Sequence, residues 1–102
     1  MAYFVVHSLD KPDMGALRAK VRDAHRARLR QHDHPVAVRI GGPLLDDAGT
    51  MIGSMLVIEA ADKAAVESFL AGDPYVLGGL YDTVRVDPFQ WGLGQPQEST
   101  HG

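Results

Sequence analysis

The 102-residue chain contains no cysteine, which removes disulfides, thiolate metal sites and cysteine nucleophiles together. Long hydrophobic runs are missing too, so nothing approaches the roughly 20 apolar residues of a membrane-spanning helix. The opening MAYFVVHSLD has no basic leader and only a short apolar run, and is not read as a signal peptide. No membrane partner is expected, and the setting that fits these absences is the cytoplasm. There is no excess of positive charge: 10 Lys and Arg stand against 13 Asp and Glu, a formal net charge of −3. That balance disfavours wholesale nucleic-acid binding. The six basic residues between Arg18 and Arg30 spread round a solvent arc, and no aromatic platform accompanies them.

What is present is an ordinary globular composition, 45% hydrophobic and 23% charged. Residues 1–94 are read as one domain and residues 95–102, in the aperiodic QPQESTHG, as a flexible tail. AYFVVHS is a β-rich run and predicts a first strand. Met14, Leu17, Val21, Ala24 and Leu29 recur at helical spacing, with Asp13 as the expected N-cap. VAVRI predicts a second strand running into Gly41-Gly42-Pro43, read as a strand-end turn, with a loop to follow. GSMLVIE predicts a third. Asp62 should cap a helix over Lys63 to Ala71, and Asp73-Pro74 should start a further helical turn. The final strand is expected between Tyr81 and Leu93, interrupted near Pro88.

This order, βαββαβ, specifies a ferredoxin-like α+β domain: an antiparallel sheet with two helices on one face. Tyr3, Val5 and His7 alternate with Phe4 and Val6, and Met55 and Val57 with Leu56 and Ile58. Both faces of the sheet are therefore largely apolar, while helices can cover only one. A homodimer packed sheet to sheet is the expected remedy. Phe89, Trp91 and the tail are the alternative cover.

Within VRDAHRARL, His25 lies one turn from Val21 and one from Leu29, at the edge of the apolar stripe. Arg22 and Arg28 flank it at three residues on either side, and Arg18 stands a further turn back. A histidine there is commonly a satisfied, partly buried side chain; it can also act as a general acid/base at a pocket rim. Asp73 is a good N-cap in its own right, and spacing alone does not bring it to His25. His32-Asp33-His34 matches no strong zinc pattern, and no metal site is assigned.

The chain resembles the YciI-like family of dimeric α+β barrel proteins. The likeness runs through YFVVHSLDKP, Arg22 and His25 of RDAH, Gly42-Pro43-Leu44-Leu45-Asp46 and Gly53-Ser54. It continues in Asp73-Pro74-Tyr75, Gly79-Leu80-Tyr81 and Asp87-Pro88-Phe89, with Trp91 nearby. Each motif is weak alone; their order over some ninety residues is specific. The resemblance implies that His25 and Asp73 form an active-site dyad and that Ser54 lines the pocket. Where relatives often carry proline between the arginine and the histidine, this chain has Asp23-Ala24. Arg26 follows the histidine where an apolar residue is common. Related chemistry, a dehydrochlorinase and muconolactone isomerases, implies a cofactor-independent lyase or isomerase acting on a small oxygenated, anionic ring. Arg22 or Arg28 would hold the anion, and Tyr75, Phe89 and Trp91 would form an aromatic wall. The alternative is a non-catalytic ligand-binding or interaction module in which the dyad is a structural hydrogen bond.

Overall fold

The computed structural model describes residues 1–94; the expected tail, 95–102, lies outside the described residues. The elements are β1 (Ala2–Asp10), α1 (Gly15–Leu29), β2 (Ala37–Leu45), β3 (Met51–Ala60), α2 (Lys63–Ala71), α3 (Pro74–Leu77) and β4 (Tyr81–Phe89). They form a four-stranded sheet in the order β2-β3-β1-β4, antiparallel at every pairing. This is the ferredoxin-like α+β arrangement. No helix among the described residues is long and apolar enough to cross a membrane.

Two expected boundaries are corrected. Gly41-Gly42-Pro43 is not a turn; β2 continues through it to Leu45, and β3 begins at Met51. β2 is an edge strand, where proline's missing N–H costs no ladder bond, and the same holds for Pro88 inside β4 at the other edge. The real turn is Asp46–Thr50, where Asp46 Oδ1 accepts from the N–H groups of Ala48 and Thr50. Nor does Asp13 cap α1. It adopts a left-handed φ of 60°, and Met14 stands at the N-cap without a side-chain bond. Asp62 and Asp73 do cap their helices, accepting from Ala65 N and Tyr75 N.

Strand parity decides what reaches the helix side. Phe4, Val6 and Ser8 of β1 lie opposite Ile58, Leu56 and Ser54 of β3, three rungs on the inner face. Phe4, Val6, Leu56 and Ile58 join Val66, Phe69 and Leu70 of α2 in the hydrophobic core. The third rung is polar. Two irregularities then select residues at that end. β1 and β4 slip between Leu9 and Asp10, so Asp10 pairs with Tyr81 and not with Asp82. The bulge re-aims a side chain, bringing a phenol where a second carboxylate would otherwise stand. A second slip at Arg39 places Gly41 opposite Leu56 and Pro43 opposite Ser54. Gly41 leaves room for the Leu56 side chain there, since a Cβ would lie 2.8 Å from Leu56 Cδ2 and push it aside.

The outer face carries Tyr3, Val5, His7 and Met55. Phe89 pairs with Tyr3 and belongs to this face. Trp91 packs edge-on against both, at 5.8 Å from Tyr3 and 5.0 Å from Phe89. The two aromatics expected in a pocket wall therefore sit on the side of the sheet away from the helices.

Candidate functional site

α1 buries an unusual face. Its two fully buried residues are Arg18 and His25, seven apart and so in one row along the helix. Ala24, expected at the centre of the apolar stripe, is exposed, and Val21 is half-buried. The helix therefore meets the polar end of the sheet with polar side chains, which must be hydrogen-bonded to be tolerated there.

They are. Arg18 grips Asp10 through two bonds, Nε to Oδ2 at 2.7 Å and Nη2 to Oδ1 at 2.8 Å. Nη2 also donates to Gly53 O at 2.9 Å and Ser54 Oγ at 3.1 Å, while Nη1 reaches Tyr75 Oη at 3.4 Å. Tyr81 Oη donates to Ser54 Oγ at 2.9 Å. Ser54 Oγ thus joins Arg18 to Tyr81, and Ser54 lines the adjacent cavity. Gly53 holds this corner closed: a Cβ would lie 2.3 Å from Ser8 O. Burial opposes the Arg18 cation, but the hydrogen bond and charge of Asp10 outweigh it and raise the guanidinium above its ordinary range. Burial also pushes up the phenols of Tyr75 and Tyr81.

His25 and Asp73, both buried, meet across 48 residues of sequence. His25 Nδ1 lies 2.8 and 2.9 Å from the two carboxylate oxygens of Asp73. An ionised carboxylate only accepts, so Nδ1 carries the proton and Nε2 is the basic nitrogen of the neutral ring. The imidazole is stacked on Tyr75, centroids 3.9 Å apart and planes 22° from parallel. Asp73 Oδ1 also accepts from Tyr75 N at 2.8 Å. The α3 cap thus fixes both the carboxylate and the ring that supports the imidazole.

His25 opens onto a cavity of about 390 Å³ between α1, the Gly41–Pro43 edge of β2 and Tyr75. Among the residues expected at the site, Arg22, His25, Ser54 and Tyr75 line it, and Asp73 backs the histidine. Phe89, Trp91 and Arg28 do not. Arg28 lies about 60° round the helix from His25, on the flank opposite Arg22, and faces α2. Its guanidinium covers the Phe69 ring at 4.2 Å and fills the space beside Gly72, where a Cβ would lie 2.7 Å from Nη2. It packs between the two helices and does not line the cavity. His34, from the His-Asp-His stretch, bonds Gln31 and packs on Phe69.

Sequence reasoning left Asp10, Arg18 and Tyr81 out of the site. Arg18 was visible as a residue seven before His25, on the same helical face. Tyr81 stands in the Gly-Leu-Tyr motif, but its inward aim depends on the bulge.

Comparison with known proteins bears on this arrangement. Residues 2–90 match the model of the YCII-related domain. Protein YciI of Escherichia coli O6:H1 is 34% identical over 93 residues, covering 85% of this chain and 95% of that protein. An uncharacterized protein of Haemophilus influenzae is 32% identical over 94 residues, covering 86% and 96%. Among solved structures, 5-chloro-2-hydroxyhydroquinone dehydrochlorinase (TftG) of Burkholderia phenoliruptrix, in complex with 2,5-dihydroxybenzoquinone, superposes with a TM-score of 0.77. It is 29% identical, covering 88% of this chain and 95% of that one. SnoaB, a cofactor-independent oxygenase of Streptomyces nogalater, shares the fold alone, at 14% identity and a TM-score of 0.54 over 94% and 97% of the chains.

Proposed function

Because the chain belongs to the YCII-related domain family, we propose that it is a small-molecule enzyme, a lyase or isomerase that moves a proton on a small oxygenated ring. The observation that carries this reading is the buried His25–Asp73 pair at the inner wall of a cavity that opens to the surface. Nε2 of His25 takes a proton from a ring C–H or O–H. Asp73 orients the imidazole and stabilises the cation that forms. In a lyase the electron pair released at carbon expels a leaving group such as chloride; in an isomerase the imidazolium returns the proton to another atom. Ser54 lines the same cavity, and Arg22 supplies the charge that favours an anion. The likeness to a dehydrochlorinase bound to a dihydroxybenzoquinone supports a hydroxylated ring as substrate. The scheme draws its acid and base from this chain's own side chains.

The test is turnover of hydroxylated, carboxylated and halogenated rings by wild type, His25→Gln and Asp73→Asn. The reading expects His25→Gln, whose side-chain amide can still donate to Asp73, to lose roughly 10²–10⁴-fold in kcat with little movement of the thermal midpoint. A second reading, the dyad as a structural tie in a binding module, is favoured by the capping bond of Asp73 to Tyr75 N. Asp73→Asn separates the two, since the amide oxygen still caps α3 but changes the partner offered to His25. Activity lost with the midpoint kept supports the enzyme; a midpoint lost with no turnover by any form supports the module.

A homodimer accompanies this proposal. Tyr3, Val5 and Met55 on the face away from the helices give a second copy an apolar surface to cover. Light scattering of the intact protein tests it, and a monomeric mass at micromolar concentration would remove it.

A further inference from the structure

The charges around the cavity do not balance, and the imbalance follows one row of α1. Arg18, Arg22, Arg26, Arg30 and Arg39 line it together with His25, and no aspartate or glutamate does. The carboxylates behind the wall are each committed: Asp10 to Arg18, Asp73 to His25 and Glu59 to Arg39. Among the described residues none pairs with Arg22, Arg26 or Arg30. These three follow one another at four-residue steps, about 6 Å of axial rise each, so they run past His25, from Arg22 before it to Arg26 and Arg30 after it, towards the helix end. Like charges at that spacing disfavour the helix. Cations in the last turn do complement the helix dipole, and Arg30 Nη1 donates to Arg26 O at 3.3 Å. That accounts for a cation at the end of the helix, but not for a row that begins at Arg22 and borders a cavity. The row also stands in a chain of net charge −3, so it is a local field opposed to that of the whole molecule.

We propose that the cavity takes a dianionic ring compound, one anionic group beside His25 at Arg22 and the second one step along α1, at Arg26 and Arg30. This rests on reading the cavity as the ligand site and names the class of ligand. Planar guanidinium groups suit carboxylates, which they bind through paired, charge-assisted hydrogen bonds. Gly41, Gly42 and Pro43 form the facing wall with little side-chain bulk, leaving a flat ring room between strand and helix. Ser54 lines the cavity on the sheet side and meets the ring end of the ligand.

The experiment is calorimetric titration at low, fixed ionic strength with benzoate and with benzene-1,4-dicarboxylate, following the His25 ring by ¹⁵N NMR in parallel. The expected result is dicarboxylate binding at least about tenfold tighter than benzoate. That preference should vanish in the double variant Arg26→Gln/Arg30→Gln and persist in Lys63→Gln, which removes an exposed charge from α2. Arg26 and Arg30 are exposed, so the double variant should keep the wild-type thermal midpoint. Benzoate moving the His25 signals while the second carboxylate adds nothing would overturn the dianion and leave the ligand site standing. A preference that survives the double variant would also overturn it. If neither probe binds and the His25 signals stay still, the inference falls together with the site reading beneath it.

Discussion

One face of one pair of strands holds two different interiors. At the Phe4–Ile58 and Val6–Leu56 rungs the helix side is apolar, closed by Val66, Phe69 and Leu70 of α2. At the Ser8–Ser54 rung the same face is sealed by α1 with Arg18, Asp10, Tyr81 and the His25–Asp73 pair. Both ends bury their side chains. The first does so by non-directional packing, where volume is what counts. The second depends on donors and acceptors meeting at fixed angles, where removing one partner leaves another buried and unmatched. The cavity rests on the second kind of interior, so its inner wall presents polar side chains already held by hydrogen bonds, as a site that handles protons requires.

The comparison breaks most sharply at Asp10. Asp10→Ala strands the Arg18 guanidinium, and equilibrium unfolding in urea should report a loss of about 3–5 kcal/mol. The double variant Asp10→Leu/Arg18→Met, which removes both charges, should recover much of it. If the double variant is no better than the single one, the pair is not acting as a charge pair. Ser54→Ala comes next, with an expected loss of about 1–3 kcal/mol, because Arg18 Nη2 and Tyr81 Oη lose an acceptor. At the apolar end, Ile58→Val removes one methylene and should cost about 0.5–1.5 kcal/mol. The His25 ring signals should not move in that variant. The smallest effect is one of pH. Tyr75 and Tyr81 titrate higher in the folded chain than their ordinary value of 10.0. Above pH 10 the unfolded chain therefore loses protons that the folded chain keeps, so stability falls as pH rises. Tyr81→Phe should flatten part of that fall in thermal midpoints measured from pH 9 to 11, and an unchanged slope would assign it to other groups.

The apolar end was the more legible in sequence. Its alternation in β1 and β3 and the capped α2 follow from periodicity and local chemistry, as does the order of elements. Edge position, which local composition does not encode, hid the passage of β2 through Gly41-Gly42-Pro43. The polar end was legible only in part. His25 stood out by its place on α1, but its pairing with Asp73, and Ser54, came through resemblance, because nothing in the spacing joins residues 48 apart. Asp10, Arg18 and Tyr81 depend on a bulge and on long side chains crossing between elements. Phe89 and Trp91 attracted attention as aromatics, yet strand parity sends Phe89 to the opposite face.

Asp73 has two employers. Its Oδ1 holds both the first free N–H of α3 and the imidazole of His25. A descendant of this chain that had abandoned its chemistry would still need that oxygen to start the helix and seat Tyr75. Mutational drift would therefore erase His25 well before the capping oxygen at position 73. In comparing descendants, persistence of the histidine with the aspartate reports the selection for reactivity, while asparagine at position 73 reports only that the chain still folds.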